Sequence, residues 1–189
     1  MTDASSAETL PAAGVTASIH SRQLLLVGLE HHYHQYVGAT IGRGAPQQLM
    51  AFLREKCAAH NPDLLAEELS QEDVDLEGAR NSVLRALATE FGLPHLFCDP
   101  DGAERQALKY PVEEIVKVTR FNGDAVKAAD YMKQFWPIRE GEWMRRIIAT
   151  EARKCLLVIG AAHVETLSIR ALEFDYSPVV LCDRWRPGL

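Results

Sequence analysis

Five short apolar runs, separated by segments of helical periodicity, constrain the fold of this chain more than any other feature of its sequence. The runs cover residues 24–28, 64–68, 95–98, 155–160 and 179–182. Most of them are continuously apolar rather than alternating, which is typical of strands covered by other elements on both faces. Strands that alternate with helices form parallel sheets. The sequence therefore predicts a three-layer α/β fold, with a mainly parallel sheet and helices on both faces.

The segments between the apolar runs carry helix signals. Gly92 is placed to end one predicted helix, because glycine readily adopts the left-handed conformation of a C-cap. Pro137 suits the first turn of another, where its missing N–H costs nothing. The predicted helices cover residues 46–59, 81–91, a segment from about 137 and the segment 163–172, with one or two more in 103–135, interrupted near Asn122-Gly123.

The length of the chain fits one domain. With 189 residues it can bury a core without disulfides or a structural metal. Residues 21–189 are predicted to form a single α/β domain, preceded by a flexible N-terminal tail at residues 1–20. That tail lacks the basic and apolar regions of a secretory signal.

The charge of the chain limits its partners. A net charge of −6, without a long Lys/Arg run, argues against nucleic acid or an anionic membrane as the main partner. No apolar stretch approaches the roughly 18 residues of a membrane span. We therefore expect a small-molecule or peptide substrate, no nucleic acid and no membrane, and the sequence leaves a homo-oligomer open.

The cysteines indicate a reducing environment. None has the close CxxC partner of a zinc ribbon or a redox motif, and most lie in apolar runs. We interpret them as buried free thiols, which predicts a cytoplasmic protein. They are Cys57, Cys98, Cys155 and Cys182.

Each predicted strand ends in ionisable side chains. In a parallel sheet the carboxyl ends of the strands meet at one edge, where ligands bind. We therefore expect a functional site there, in preference to a solvated rim. Asp99 and Asp101 can equally serve in a turn, because Asp-Pro-Asp-Gly is also turn sequence. The groups at the strand ends are Glu30 and His31, Glu67 and Glu68, Asp99 and Asp101, His163, and Asp183 and Arg184.

The motif Gly-x-x-His occurs twice, as Gly28-x-x-His31 and Gly160-x-x-His163, each time after an aliphatic run. The glycine allows a neighbouring backbone to approach closely. Two such turns on adjacent strands would bring the imidazoles together, and Glu68 from a third strand would complete a set of two histidines and one carboxylate. Such a set can hold a divalent metal ion with an open position for water. Without metal, it can deprotonate a water molecule.

These residues also have structural interpretations. Either histidine alone would more often be a helix cap or a core residue than a ligand. A carboxylate such as Glu68 at the end of an apolar strand is costly to bury unpaired, whereas Glu67, with the opposite side-chain direction, is expected to be solvated. His32, Tyr33 and His34 are expected to form a wall of the site, and they make haem ligation conceivable.

The order of the motifs resembles one broad superfamily. It contains the TraB/PrgY pheromone-shutdown proteins, TIKI proteases, ChaN-like haem-binding lipoproteins and erythromycin esterases. Its members share two GxxH motifs, a glutamate at a strand end, and an arginine that starts a helix before the second GxxH. The resemblance spans about residues 24–170 and implies a ChaN/TraB-like fold with a shared polar core. In this chain that core would comprise His31, Glu68, Arg139 and His163.

Arg139 has a separate interpretation from its local sequence. It follows Trp136-Pro137-Ile138 at the start of a predicted helix, where an arginine is usually a surface residue. Its functional alternatives are to hold Glu68 in place or to stabilise the oxyanion of a hydrolytic transition state.

Together these features predict a hydrolase that cleaves a peptide or ester bond, with or without a metal ion. His31 and His163 would hold a metal ion or water, Glu68 would be a ligand or the base, and Arg139 would stabilise developing charge. The competing hypothesis is a non-catalytic protein that binds haem, a metal ion or a small anionic ligand at the same edge. A third is an inactive family member that serves as a regulatory or interaction module.

Overall fold

The computed structural model describes residues 22–30, 35–37 and 45–188. The predicted N-terminal tail at residues 1–20 lies outside this part of the chain. His31 and the predicted wall residues His32, Tyr33 and His34 also lie outside it.

Strands and helices alternate along most of the chain, as the sequence predicts. Within the described residues the strands are β1 (Arg22–Leu29), β2 (Tyr36–Val37), β3 (Leu64–Glu67), β4 (Asn81–Ser82), β5 (His95–Phe97), β6 (Lys154–Gly160) and β7 (Tyr176–Trp185). The α-helices are α1 (Pro46–His60), α2 (Gln71–Leu76), α3 (Val83–Phe91), α4 (Gly102–Ala107), α5 (Glu113–Phe121), α6 (Ala125–Met132), α7 (Trp136–Ala149) and α8 (Val164–Leu172). Short 3-10 turns at Lys133–Phe135 and Ala161–His163 lead into α7 and α8.

Five of the strands form one parallel sheet in the order β5-β3-β6-β1-β7. The strands that carry the two GxxH motifs, β1 and β6, are neighbours, with Leu29 opposite Gly160. The strand before Glu68, β3, lies on the other side of β6. The predicted α/β fold with a parallel sheet is confirmed, and β2 and β4 add a small antiparallel pair that the sequence did not predict.

Apolar side chains cover the sheet on both faces. Leu24 and Leu26 of β1 belong to the core that α7 and α8 complete with Trp143. The alternate residues Leu25 and Val27 belong to the second core, beneath α1 and α3. Because successive side chains of a strand point to opposite faces, a strand covered on both sides must be continuously apolar, as β1 is. The three-layer arrangement is therefore confirmed.

Several predicted boundaries are found in the structure. Gly92 caps α3 in the left-handed conformation, with φ of 65°. The interruption near Asn122 and Gly123 separates α5 from α6, and both residues have positive φ. The middle of the chain contains three helices, α4 to α6, rather than one or two. The short helix α2 was not predicted, although Ser70 and Asp73 form a capping box at its start.

Gly28, the glycine of the first GxxH motif, lies where two backbones meet. A Cβ atom at this position would be 2.2 Å from the carbonyl oxygen of Asp183 in β7 and 2.6 Å from Cγ2 of Val164. The register between β1 and β7 also shifts beside Gly28. The interpretation of this glycine as a point of close backbone approach is confirmed.

The four cysteines are free thiols, and three of them are buried. Burial raises the pKa of Cys57 to about 11 and raises the pKa of Cys98 well above its ordinary value. Such thiols are poor nucleophiles, because the thiolate is the reactive form. Across the described ranges, no helix combines the length and the apolar character that crossing a membrane requires.

Candidate functional site

A cleft of about 460 Å³ opens at the carboxyl edge of the parallel sheet. It is the edge at which the strand-end pattern predicts a site. The ends of β1, β6 and β7 form part of its wall. Charged side chains that line it are Glu30, Glu68, Asp73, Glu77, Asp99, Arg105, Arg139 and Arg184.

Glu68 directly follows β3, and both oxygens of its carboxylate are held. Oε2 accepts a hydrogen bond from the backbone N–H of Gly160 at 2.6 Å, and Oε1 lies 2.9 Å from Nη1 of Arg139. A Cβ atom on Gly160 would be only 3.3 Å from Oε2 of Glu68. The glycine of the second GxxH motif therefore leaves room for this carboxylate.

Arg139, in the first turn of α7, uses all three nitrogens of its guanidinium. Nε and Nη2 donate to the two carboxylate oxygens of Asp99 at 2.6 and 2.7 Å, while Nη1 pairs with Glu68. Its side chain is 17% exposed, so the interpretation as a surface residue is wrong. Burial lowers its pKa, but the carboxylates of Glu68 and Asp99 outweigh that effect and hold the pKa well above its ordinary value. The contacts favour a role in positioning Glu68.

Asp99 is buried beneath the cleft, and its carboxylate accepts hydrogen bonds from three side chains. Besides Arg139, its carboxylate accepts hydrogen bonds from Nε1 of Trp143 at 2.9 Å and from Nη2 of Arg105 at 2.5 Å. Burial raises the pKa of Asp99, but Arg139 and then Arg105 outweigh it, so the pKa lies below its usual range. Of the two aspartates that the sequence left open, Asp99 belongs to the site, whereas Asp101 caps α4.

His163 ends the 3-10 turn after β6 and is only 5% exposed. Its Nδ1 lies 2.8 Å from Oε1 of Glu140. An ionised carboxylate only accepts hydrogen bonds, so Nδ1 is the donor to Glu140, and in the neutral imidazole this tautomer leaves the lone pair on Nε2. That nitrogen lies 3.8 Å from Oε1 of Glu68. The rings of Trp136 and Trp143 pack against the imidazole, with centroids 4.3 and 5.0 Å away.

Glu140 is a site residue that the sequence analysis missed. It is 1% exposed and accepts hydrogen bonds from both His163 and the Thr166 hydroxyl. A signal was present, because Glu140 is in helical phase with the buried residues Trp143 and Ile147 of α7. A carboxylate on an apolar helix face is costly to bury without partners, so its position indicates a buried partner.

Glu67, which was expected to be solvated, is fully buried, and that expectation is wrong. Its Oε1 accepts hydrogen bonds from the Ser82 hydroxyl and from Nε2 of His95, the latter at 2.6 Å. Among the described residues, Oε2 has no hydrogen-bond partner. Glu67 points away from Glu68 and fixes the start of α3, since Ser82 is the N-cap of that helix.

The predicted metal ligands are only partly described. His31 lies outside the described residues, and the residues that are described hold no group of three or more His, Cys, Asp or Glu side chains able to bind a metal ion. His163 fits a ligand role, because a carboxylate behind the imidazole is the usual partner of a metal-bound histidine. Glu68 fits it poorly, since a guanidinium nitrogen 2.9 Å from Oε1 opposes a second cation there.

The wall of the cleft around Tyr36 is negative. Burial raises the pKa of Tyr36 far above its ordinary value, and the nearby carboxylates of Asp73 and Glu77 raise it further. An anion placed against this wall would be repelled.

Comparison of the chain with protein-family models, with curated proteins and with solved structures gives no match. Membership of the superfamily with two GxxH motifs therefore stays a prediction. The function has to be inferred from the geometry at the sheet edge.

Proposed function

We propose that this chain is a hydrolase that cleaves a peptide or ester bond in the cleft beside Glu68. The supporting observation is the pair formed by Oε1 of Glu68 and Nε2 of His163, 3.8 Å apart. Arg139 and Gly160 fix the orientation of Glu68, and Glu140 fixes that of His163. Two proton acceptors, each held by a partner of its own, suit general-base catalysis.

In this proposal a water molecule binds to the Glu68 carboxylate, which lines the cleft. The water oxygen bonds to the substrate carbonyl carbon, and its proton passes to Glu68. His163, buried behind Glu68, accepts that proton at Nε2. The imidazolium then lies between the carboxylates of Glu68 and Glu140, which stabilise it as an acidic partner does in other catalytic dyads. The proton finally moves to the departing amine or alkoxide as its bond to the carbonyl carbon breaks.

The oxyanion of the intermediate needs hydrogen-bond donors other than Arg139, because the carboxylates of Asp99 and Glu68 already neutralise the charge of that guanidinium. Ala161 and Ala162 line the cleft and begin the helical stretch that continues into α8. The first N–H groups of such a stretch have no partner within it. We assign the stabilisation of the oxyanion to these backbone groups.

A metal-dependent form of the same proposal would use His31 and His163 to hold a divalent ion. When bound, such an ion would lower the pKa of its water and polarise the carbonyl. The Arg139–Glu68 ion pair disfavours Glu68 as a third ligand, so the proposed hydrolysis uses the side chains alone.

A panel of peptide and ester substrates tests the proposal, with protein purified without chelator and then assayed with and without added divalent metal. Glu68→Gln and His163→Gln should each lower kcat by about 10²–10⁴-fold. Glu165→Gln is the matched control, because Glu165 is exposed on α8 and should retain wild-type turnover. Wild-type protein that cleaves nothing under any condition, or Glu68→Gln with full turnover, contradicts the proposal. A Soret band that appears with haem and disappears in His163→Gln would favour a haem-binding protein instead.

A further inference from the structure

Three arginines line the cleft, and two of them are paired with carboxylates. Arg139 pairs with Asp99 and Glu68. Arg105 pairs with Asp99 and lies 3.9 Å from Asp73. Arg184 is exposed and lines the same cleft, and among the described residues it forms no ion pair. Within the part of the chain that the structure describes, it is therefore the cleft arginine whose charge is available to a ligand.

The position of Arg184 relative to Glu68 follows from the order of the strands. Arg184 lies near the carboxyl end of β7, and Glu68 follows β3, three strands away across β6 and β1. With about 4.8 Å between neighbouring strands, their backbones are about 14 Å apart. An extended peptide covers that distance with about four residues. Because the side chains of Arg184 and Glu68 both extend into the cleft, the distance between their charged groups is shorter. Two or three residues of a substrate peptide are enough to cover it.

The other free charges of the lining are negative. Glu30 and Glu77 line the cleft without an ion pair to any described residue. Burial is the main cause of the raised pKa of Tyr36, and the negative charges of Asp73 and Glu77 on that side raise the pKa further. Among the described residues of the lining, Arg184 is thus the positive charge that has no carboxylate partner. Its planar guanidinium offers two parallel N–H donors, a geometry that matches a carboxylate.

We propose that Arg184 binds a carboxylate of the substrate, two or three residues from the bond that is cleaved, and that the substrate is a short peptide with a free C-terminus. The inference rests on the proposed function, because it takes Glu68 as the place of cleavage. A basic or amino-terminal group of the same peptide would face the acidic wall. Arg184 is then a specificity-determining residue and takes no part in the chemical step.

The test compares peptides of one sequence that end in a free carboxylate or in an amide, assayed with wild-type protein, Arg184→Gln and Arg184→Lys. A further pair replaces an internal glutamate by glutamine, which separates a side-chain carboxylate from the C-terminal one. For wild type, the C-terminal amide should raise KM about 10- to 100-fold with little change in kcat, as expected for loss of a charged hydrogen bond. Arg184→Gln should show the high KM with both peptides, and Arg184→Lys an intermediate value.

Arg186→Gln is the matched control, because Arg186 is also exposed, directly after β7, but does not line the cleft. It should discriminate between the peptides as wild type does. Equal kcat/KM for both C-terminal forms, with cleavage that still depends on Glu68, would overturn this inference and leave the proposed function intact. If wild type cleaves neither peptide, the proposed function fails. Calorimetry then measures the binding of the carboxylate and amide peptides, and this tests the role of Arg184 by itself. Tighter binding of the carboxylate form that is lost in Arg184→Gln upholds the inference, and equal or absent binding overturns it.

Discussion

Arg139 and Asp99 form a two-point ion pair, with Nε 2.6 Å from Oδ1 and Nη2 2.7 Å from Oδ2. The remaining nitrogen of the same guanidinium pairs with Glu68 at 2.9 Å. One side chain from α7 therefore ties together the carboxylates that follow β3 and β5. The position of Glu68 in the cleft depends on this connection, because a lone carboxylate at a strand end would turn towards water.

Replacement of Arg139 by lysine should weaken both the fold and the site. Lysine keeps the charge but cannot supply the planar fork that contacts Asp99 and Glu68 together. We expect Arg139→Lys to lower the free energy of unfolding by about 1–3 kcal/mol, as for loss of charged hydrogen bonds, and to lower turnover. Urea unfolding beside the hydrolysis assay measures both.

The control for that substitution lies on the same helix. Arg145 is 53% exposed and pairs with Glu142 one turn away, so Arg145→Lys should change the free energy of unfolding by less than about 0.5 kcal/mol. Equal stability and turnover of both variants would show that the buried contacts of Arg139 contribute nothing.

Asp99 should make the stability of the protein depend on acid pH. Its folded-state pKa is depressed, so its contribution is present above the unfolded value of about 3.9 and is lost as pH falls through the lower folded value. Asp99→Asn removes this titration, and it also removes the negative charge that pairs with Arg139 and Arg105. Urea unfolding from about pH 7 to about pH 2.5 should show a lower stability at neutral pH and a shallower acid decline than wild type.

Asp130→Asn provides the comparison for the acid titration. The Asp130 carboxylate is 76% exposed and pairs with Lys133 on the surface of the chain. The stability of Asp130→Asn should fall with acid pH as steeply as that of wild type. A wild-type slope in Asp99→Asn as well would mean that other carboxylates account for the acid sensitivity.

The sequence predicted the sheet well because its signals are local. A continuously apolar run such as 155–160 indicates a doubly covered strand wherever it pairs, and the strand ends follow from it. Glu68 and His163, which follow strands, could therefore be assigned to one edge. The partners of these residues depend on side-chain direction across layers, which no local pattern encodes.

Glu140 and Glu67 show where that limit lies. Both are carboxylates buried to 1% exposure or less, and both find partners far along the chain. Glu140 lies in the first turns of α7, where an acidic residue can also be explained by the helix dipole, whereas its phase with Trp143 indicates burial. Glu67 and Glu68 point to opposite faces of the sheet, because successive side chains of a strand alternate in direction. Which of the two faces is solvated could not be recognised without the tertiary structure.

Glu140→Gln should disturb the orientation of His163 without unfolding the protein. Glutamine can accept the Nδ1–H of His163, but it lacks the charge that stabilises an imidazolium and can rotate its amide N–H towards the ring. We expect kcat to fall by about 10²–10⁴-fold, in line with the loss of the acidic partner in a catalytic dyad. Nitrogen NMR of the imidazole should show protonated Nδ1 in wild type and a mixture of tautomers in the variant.

Glu142→Gln is the matched substitution two residues along the same helix, where Glu142 pairs with Arg145 and Arg146. It should leave the NMR signals of His163 and the turnover unchanged. A single Nδ1–H tautomer in Glu140→Gln, together with full turnover, would remove Glu140 from the proposed proton path.

Gly28 and Gly141 have different surroundings, and comparing them allows a direct test of how closely β1 packs against β7. An alanine Cβ at Gly28 would lie 2.2 Å from the backbone oxygen of Asp183, so β1 and β7 would have to separate. At Gly141, inside α7, the nearest atom would be the flexible Nη1 of Arg145 at 3.9 Å. Gly28→Ala should therefore destabilise the protein by about 3 kcal/mol or more. Gly141→Ala should stabilise it by about 0.5–1 kcal/mol through helix propensity. Urea unfolding of both variants measures the difference, and a Gly28→Ala protein as stable as wild type would show that β7 does not press against β1 at this point.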